Sequence, residues 1–128
     1  MLEQLKSFPG NALAITVIDV FTEADQHYLE KLFAEKRKAG HDQVNLLIKL
    51  DEAKIGGTGV KAFFEDSLWA VRNYTHLGHV AVVAHSNVIK ALVPLDKLFF
   101  QRASKGRLER YFDVSQLDEA MAFVDGKA

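Results

Sequence analysis

Three glycines around one hydroxyl, Gly56-Gly57-Thr58-Gly59, form the stretch of this chain best suited to chemistry. Glycine backbone lets amide N–H groups approach a ligand closely. The helical spacing that starts at Val60 would bring the amides of a helix start to the same point. A phosphate or a carboxylate is the group such a turn receives. The Gly-Lys-Ser/Thr ending of a nucleotide-binding loop does not follow at the required spacing, so the turn is of another kind. The plainer reading is that Thr58 caps the Val60 helix, its oxygen accepting from the first free amides.

A second constellation is Ala84-His85-Ser86-Asn87, where an apolar run gives way to polar residues. A nucleophilic serine on a sharp strand-to-helix turn needs glycine two residues to each side, and this chain has Ala84 and Val88 there. Ser86 therefore reads as a helix cap. His76 and His79 have a tolerable ligand spacing, but no carboxylate cluster accompanies them, and they read as loop or surface residues. Cysteine is absent, which removes disulfides, thiol catalysis and thiolate metal sites. Arg102, Lys105, Arg107 and Arg110 gather near Phe99 and Phe100. They form either a solvated loop or a contact for an acidic partner or lipid headgroup.

These residues are positioned by alternating strands and helices. Val44, Leu46, Ile48 and Leu50 share one face of a strand, with Asn45, Leu47 and Lys49 on the other. Beyond the glycine turn, Val60, Phe63, Phe64, Leu68 and Val71 make a core-facing helical stripe. Trp69 lies about 180° around that helix from Val60, where it is either covered by another segment of its own chain or placed at the contact of a homodimer, the expected use.

Upstream, Leu2–Ser7 and Ala12–Val20 flank the turn Pro9-Gly10-Asn11 and read as a hairpin. Thr22 and Asp25 form a capping-box variant, ahead of a helix burying Ala24, Tyr28, Leu29, Leu32 and Phe33. That helix ends in basic residues and Gly40. Downstream, strands are expected over 79–84 and 107–112. The closing helix opens at Ser115 and buries Leu117, Ala120, Met121 and Val124.

Strands separated by helices imply parallel neighbours with right-handed crossovers. The polar Asn45 and Lys49 imply one face of the sheet left outside the main helix layer. The expected fold is α/β: about five mostly parallel strands in sequential order, an antiparallel N-terminal edge strand, and helices mainly on one face. Ligands of such sheets gather beyond the carboxyl ends of the strands, here Thr22, Asp51, Thr58, His85, Ser86 and Asp113.

With 16 basic and 17 acidic residues, the chain has no global charge footprint for nucleic acid or anionic membrane. The longest mostly apolar run, Ala12–Phe21, is far short of a bilayer span, and no basic and apolar leader opens the sequence. A soluble protein of the cytoplasm is the expectation.

In this order, the PGNALAITV hairpin, the FTEAD helix start, and LLIKLDE with GGTG and FFEDSLWAVRN resemble SpoIIAA-like (STAS-like) domains. VAVVAHS and the closing RYFDVSQLDEAMAFV extend the resemblance over nearly the whole chain, nearest to small stand-alone bacterial members. The resemblance implies a single domain over residues 1–128. It also implies a non-enzymatic module, without cofactor, that binds or regulates through protein contacts. A likeness in outline to CRAL-TRIO domains implies the alternative of a carrier for an apolar or lipid-like molecule. In the antagonist branch of the family, a serine preceded by aspartate is phosphorylated at the start of this helix. The matching place here is Thr58 after Gly57, a departure that bears directly on such a switch.

Overall fold

Leu46, Leu47 and Ile48 are apolar on both sides of the strand alternation, as a strand buried on two faces must be. They lie in the central strand of the sheet. The computed structural model describes residues 2–18, 22–50, 77–85 and 109–126. Its strands are β1 (Leu2–Ser7), β2 (Ala12–Val17), β3 (Val44–Leu50), β4 (Leu77–Ala84) and β5 (Glu109–Asp113). They stand side by side in the order β1-β2-β3-β4-β5. β1 pairs antiparallel with β2 through the expected hairpin, and all other neighbours are parallel. The expected fold class holds, with β2 ending earlier, at Val17, than the sequence run suggests.

One face of the sheet is covered by α1 (Glu23–Lys38). Leu29, Leu32 and Phe33 at i, i+3 and i+4 pack on Leu13, Ile15, Leu46, Ile48 and Val82. Ala24 and Tyr28, expected on this stripe, are instead exposed, because they sit on the shoulder of the helix away from its contact line. At the far end, Gly40 adopts φ 98°, a left-handed conformation that stops a helix cheaply only with glycine. Lys36 reaches back and donates to the carbonyls of Phe8 at 2.6 Å and Gly10 at 2.7 Å, tying the last helical turn to the hairpin.

The start of α1 is fixed by the capping box read from the sequence. The Asp25 amide donates to Thr22 Oγ1, and the Asp25 carboxylate accepts from the Thr22 amide and hydroxyl. Its other oxygen accepts from the Leu2 amide at 3.0 Å, so one side chain joins the helix to the edge strand. Burial opposes the charge of Asp25, but the donors of Thr22 and Leu2 outweigh it and hold its pKa below the ordinary aspartate value. A carboxyl lowered by folding stabilises the protein fully above its unfolded pKa, and that stability is lost as pH falls through the lowered value. Asp25→Ala should therefore cost about 1–2 kcal/mol at neutral pH. Urea unfolding at pH 7 and again below about pH 3.5 should show the gap to wild type closing in acid. An equal gap at both pH values would show that charge has no part in it.

The second face is covered as well. Asp113 caps a short 3-10 turn (Val114–Gln116), accepting from the Ser115 amide while Gln116 accepts from the Asp113 amide. The helix α2 (Leu117–Val124) follows. The expected opening at Ser115 thus moves to Asp113, whose carboxylate accepts from both the amide and the hydroxyl of Ser115. Ala120, Phe123 and Val124 pack on Ala12, Ala14, Leu47, Ala81 and Val83. Alanine at three of those sheet positions leaves a low floor on which a short helix sits close. Leu117 and Met121 are only partly buried, and Phe123 takes the place they were expected to fill.

Asn45 explains why this face looked open in the sequence. It is buried under the end of α2, with Nδ2 donating to the Val124 carbonyl at 2.9 Å. Its Oδ1 accepts from the His79 amide at 2.8 Å. The pairing of β3 with β4 slips there, from Val44↔Leu77 to Leu46↔Val80, so β4 carries one extra residue at the bulge. An asparagine, both donor and acceptor, satisfies the bulge amide and a helix-terminal carbonyl together. The expectation of an uncovered face at Asn45 is therefore overturned, whereas Val44, Leu46, Ile48 and Leu50 are buried as expected. Lys49, further along the strand, is half-buried.

Candidate functional site at the carboxyl ends of the strands

Beyond the start of α2, beside the turn that carries Val114, the second face opens into a cleft of about 330 Å³ at the carboxyl ends of β2, β3 and β4. Strand alternation builds it. Thr16 follows Ala12 and Ala14 on β2, Lys49 follows Asn45 and Leu47 on β3, and His85 follows Ala81 and Val83 from β4. Thr16 and Lys49 are direct partners in the parallel register. Leu5, Ile18 and Val114 supply apolar wall, and Leu50, whose side chain belongs to the α1 core, also borders the cleft.

The polar groups differ in availability. Thr16 is 8% exposed, and its hydroxyl donates to the Lys49 carbonyl at 3.2 Å. That bond commits the hydroxyl proton to the backbone, so Thr16 is a fixed part of the wall. Lys49 is half-buried along its stem, and its ammonium forms no ion pair among the described residues. His85 is exposed at the rim. A cation, an imidazole and an apolar lining can hold a small anion with an apolar body.

Of the expected edge residues that are described, Thr22, His85 and Asp113, the structure brings His85 into this cleft. Thr22 and Asp113 spend their oxygens on the caps of α1 and of the 3-10 turn. Asp51, Gly56, Gly57, Thr58, Gly59, Ser86 and the interface candidate Trp69 lie outside the described residues, as do His76, Arg102, Lys105 and Arg107. His79 is not a loop residue. It lies within β4, half-buried, with its ring 5.8 Å from that of Phe123. Arg110 belongs to β5, its guanidinium 5.6 Å from the ring centres of both Phe112 and Phe123. At that distance it contributes a cation–π contact to the edge of the α2 core.

Thr16 and Lys49 were missed as site residues, though a signal existed. Counting alternation back from His85 and across the β2–β3 register places all three on one face. Among the described residues, no group of three His, Cys, Asp or Glu side chains could hold a metal ion. No described helix is long and apolar enough to cross a membrane.

No curated protein and no solved structure matches the chain. A family model does, over residues 12–125, a span that includes strands β2 to β5 and both described helices. The sequential sheet with its antiparallel edge strand agrees with that family's α/β fold. By this match the chain belongs to the SpoIIAA-like family.

Proposed function

We propose that the chain is a regulatory binding module that acts through protein contacts and catalyses no reaction. The observation that carries this reading is the family match over residues 12–125, because SpoIIAA-like domains are in general regulatory protein-interaction modules. The commitment of the Thr22 and Asp113 side chains to caps, and of the Thr16 hydroxyl to a backbone carbonyl, supports it further. The proposed partners are a second copy of the chain, meeting at Trp69, and another protein, with Gly56, Gly57, Thr58, Gly59, Asp51, His85 and Ser86 as the candidate contact residues. Phosphorylation of Thr58 would give that contact its control. The proposed location is the bacterial cytoplasm, to which a cysteine-free chain is suited.

A second reading, carriage of an apolar or anionic small molecule, is favoured by the cleft at Thr16, Lys49 and His85. Native mass spectrometry of the chain purified from its own cells tests both. The expected spectrum holds a homodimer or a complex with a second polypeptide. Trp69→Ala should return the homodimer to monomer. A monomer carrying only a small-molecule adduct would overturn the first reading in favour of the second.

A further inference from the structure

We propose that the cleft between Thr16, Lys49 and His85 is a binding site for a small monocarboxylate with a compact apolar body. This goes beyond the partner-contact reading and stands or falls separately from it. The charge argument comes first. Lys49 brings one ammonium to the cleft, and none of the described residues lining it is a carboxylate. One ammonium neutralises one negative charge, and a charge-assisted hydrogen bond to a carboxylate is among the stronger polar contacts available. A phosphate dianion would leave half its charge unmatched.

Geometry gives the second argument. Lys49 is anchored from below, since its carbonyl accepts from Thr16 Oγ1 and its strand is clamped between β2 and β4. The ammonium therefore rises from rigid sheet, which lowers the ordering cost of binding. His85 follows directly after β4, the next strand along, and lines the same cleft.

The third argument is size and lining. Leu5, Ile18 and Val114 contribute only apolar side chains. A volume of about 330 Å³ is at the small end of ligand pockets, which run from roughly 300 to 1,000 Å³. It suits a short or branched chain or a single ring.

The test is a titration of the isotope-labelled chain followed by amide NMR shifts, with hexanoate, hexanol, inorganic phosphate and palmitate as probes. Hexanoate should move the Thr16, Lys49 and His85 amides saturably. Hexanol, which keeps the apolar body but lacks the charge, should bind at least about ten-fold more weakly. Phosphate, lacking the body, should do the same. Lys49→Met keeps the aliphatic stem and should weaken hexanoate at least about ten-fold, while Lys49→Arg should keep most of the affinity. An unchanged amide spectrum away from the cleft shows that Lys49→Met is folded. Equal binding of hexanol and hexanoate, or of Lys49→Met and wild type, would sink the carboxylate assignment. Tighter binding of palmitate than hexanoate would overturn the size limit. Absence of any shift at the three cleft amides would remove the site altogether. Partner capture and oligomer mass are untouched by each of these outcomes.

Discussion

Asn45→Ala should be among the most damaging single substitutions in this chain, lowering stability by about 2–5 kcal/mol. Alanine fits the space, so the loss does not come from volume. It comes from leaving two backbone groups behind: the Val124 carbonyl beneath the end of α2 and the His79 amide in the β4 bulge. Each buried group left without a partner costs about 1–3 kcal/mol, more than the net worth of a typical bond. The melting temperature should drop by on the order of 10 °C or more. Amide exchange should quicken first along α2, whose last turn loses its tie to the sheet. If the loss stays below about 0.5 kcal/mol, water has replaced the side chain and the clamp is not what holds this helix down.

Gly78→Ala should rival it for a steric reason. Gly78 has no left-handed backbone, so its replacement is not opposed by conformation. A Cβ there would collide with Asn45 Oδ1, and it would also stand 3.4 Å from the Val44 carbonyl. Asn45 cannot swing aside without giving up both of its bonds. Overpacking alone costs about 1–3 kcal/mol, and loss of the Asn45 contacts adds to it. The double variant Gly78→Ala/Asn45→Ala relieves the collision and should be little worse than Asn45→Ala alone. Urea unfolding of the four proteins in the cycle should give a coupling of at least about 1 kcal/mol. Simple additivity would mean that the two residues do not share a site.

These two residues also mark where reading the sequence stopped working. The hairpin, the Thr22–Asp25 box and the stop at Gly40 are written in neighbouring residues, and the structure has all of them. Local hydrogen-bonding chemistry decides such features, so a few residues carry the whole signal. Asn45 is different. Alternation assigns it correctly to the second face, but its partners are His79 and Val124, 34 and 79 residues away. Polarity in a strand then reads as exposure, when the side chain is in fact satisfied under a helix. Lys49, four residues on along the same face, has the same pattern and is half-buried beside a cleft. One alternation thus conceals two environments, and only the length of α2 separates them. His85 was legible because a strand's carboxyl end is named by sequence order. Thr16 was not, because threonine inside a β-branched run looks like any other strand former.

Sequential strand order has a consequence in time. Each strand pairs with the one synthesised just before it, so a chain leaving the ribosome can extend its sheet as it grows. The cover of the second face cannot arrive on that schedule, because Leu117–Val124 comes last of all the described elements. Until then Ala12, Ala14, Leu47, Ala81 and Val83 form an apolar floor on a sheet already assembled. At roughly 5–20 residues per second, the wait between β3 and the end of α2 lasts several seconds. Collapse and sticking of exposed apolar surface proceed in microseconds to milliseconds. Among the described elements it is the docking of Leu117–Val124 that covers this floor and ends the exposure.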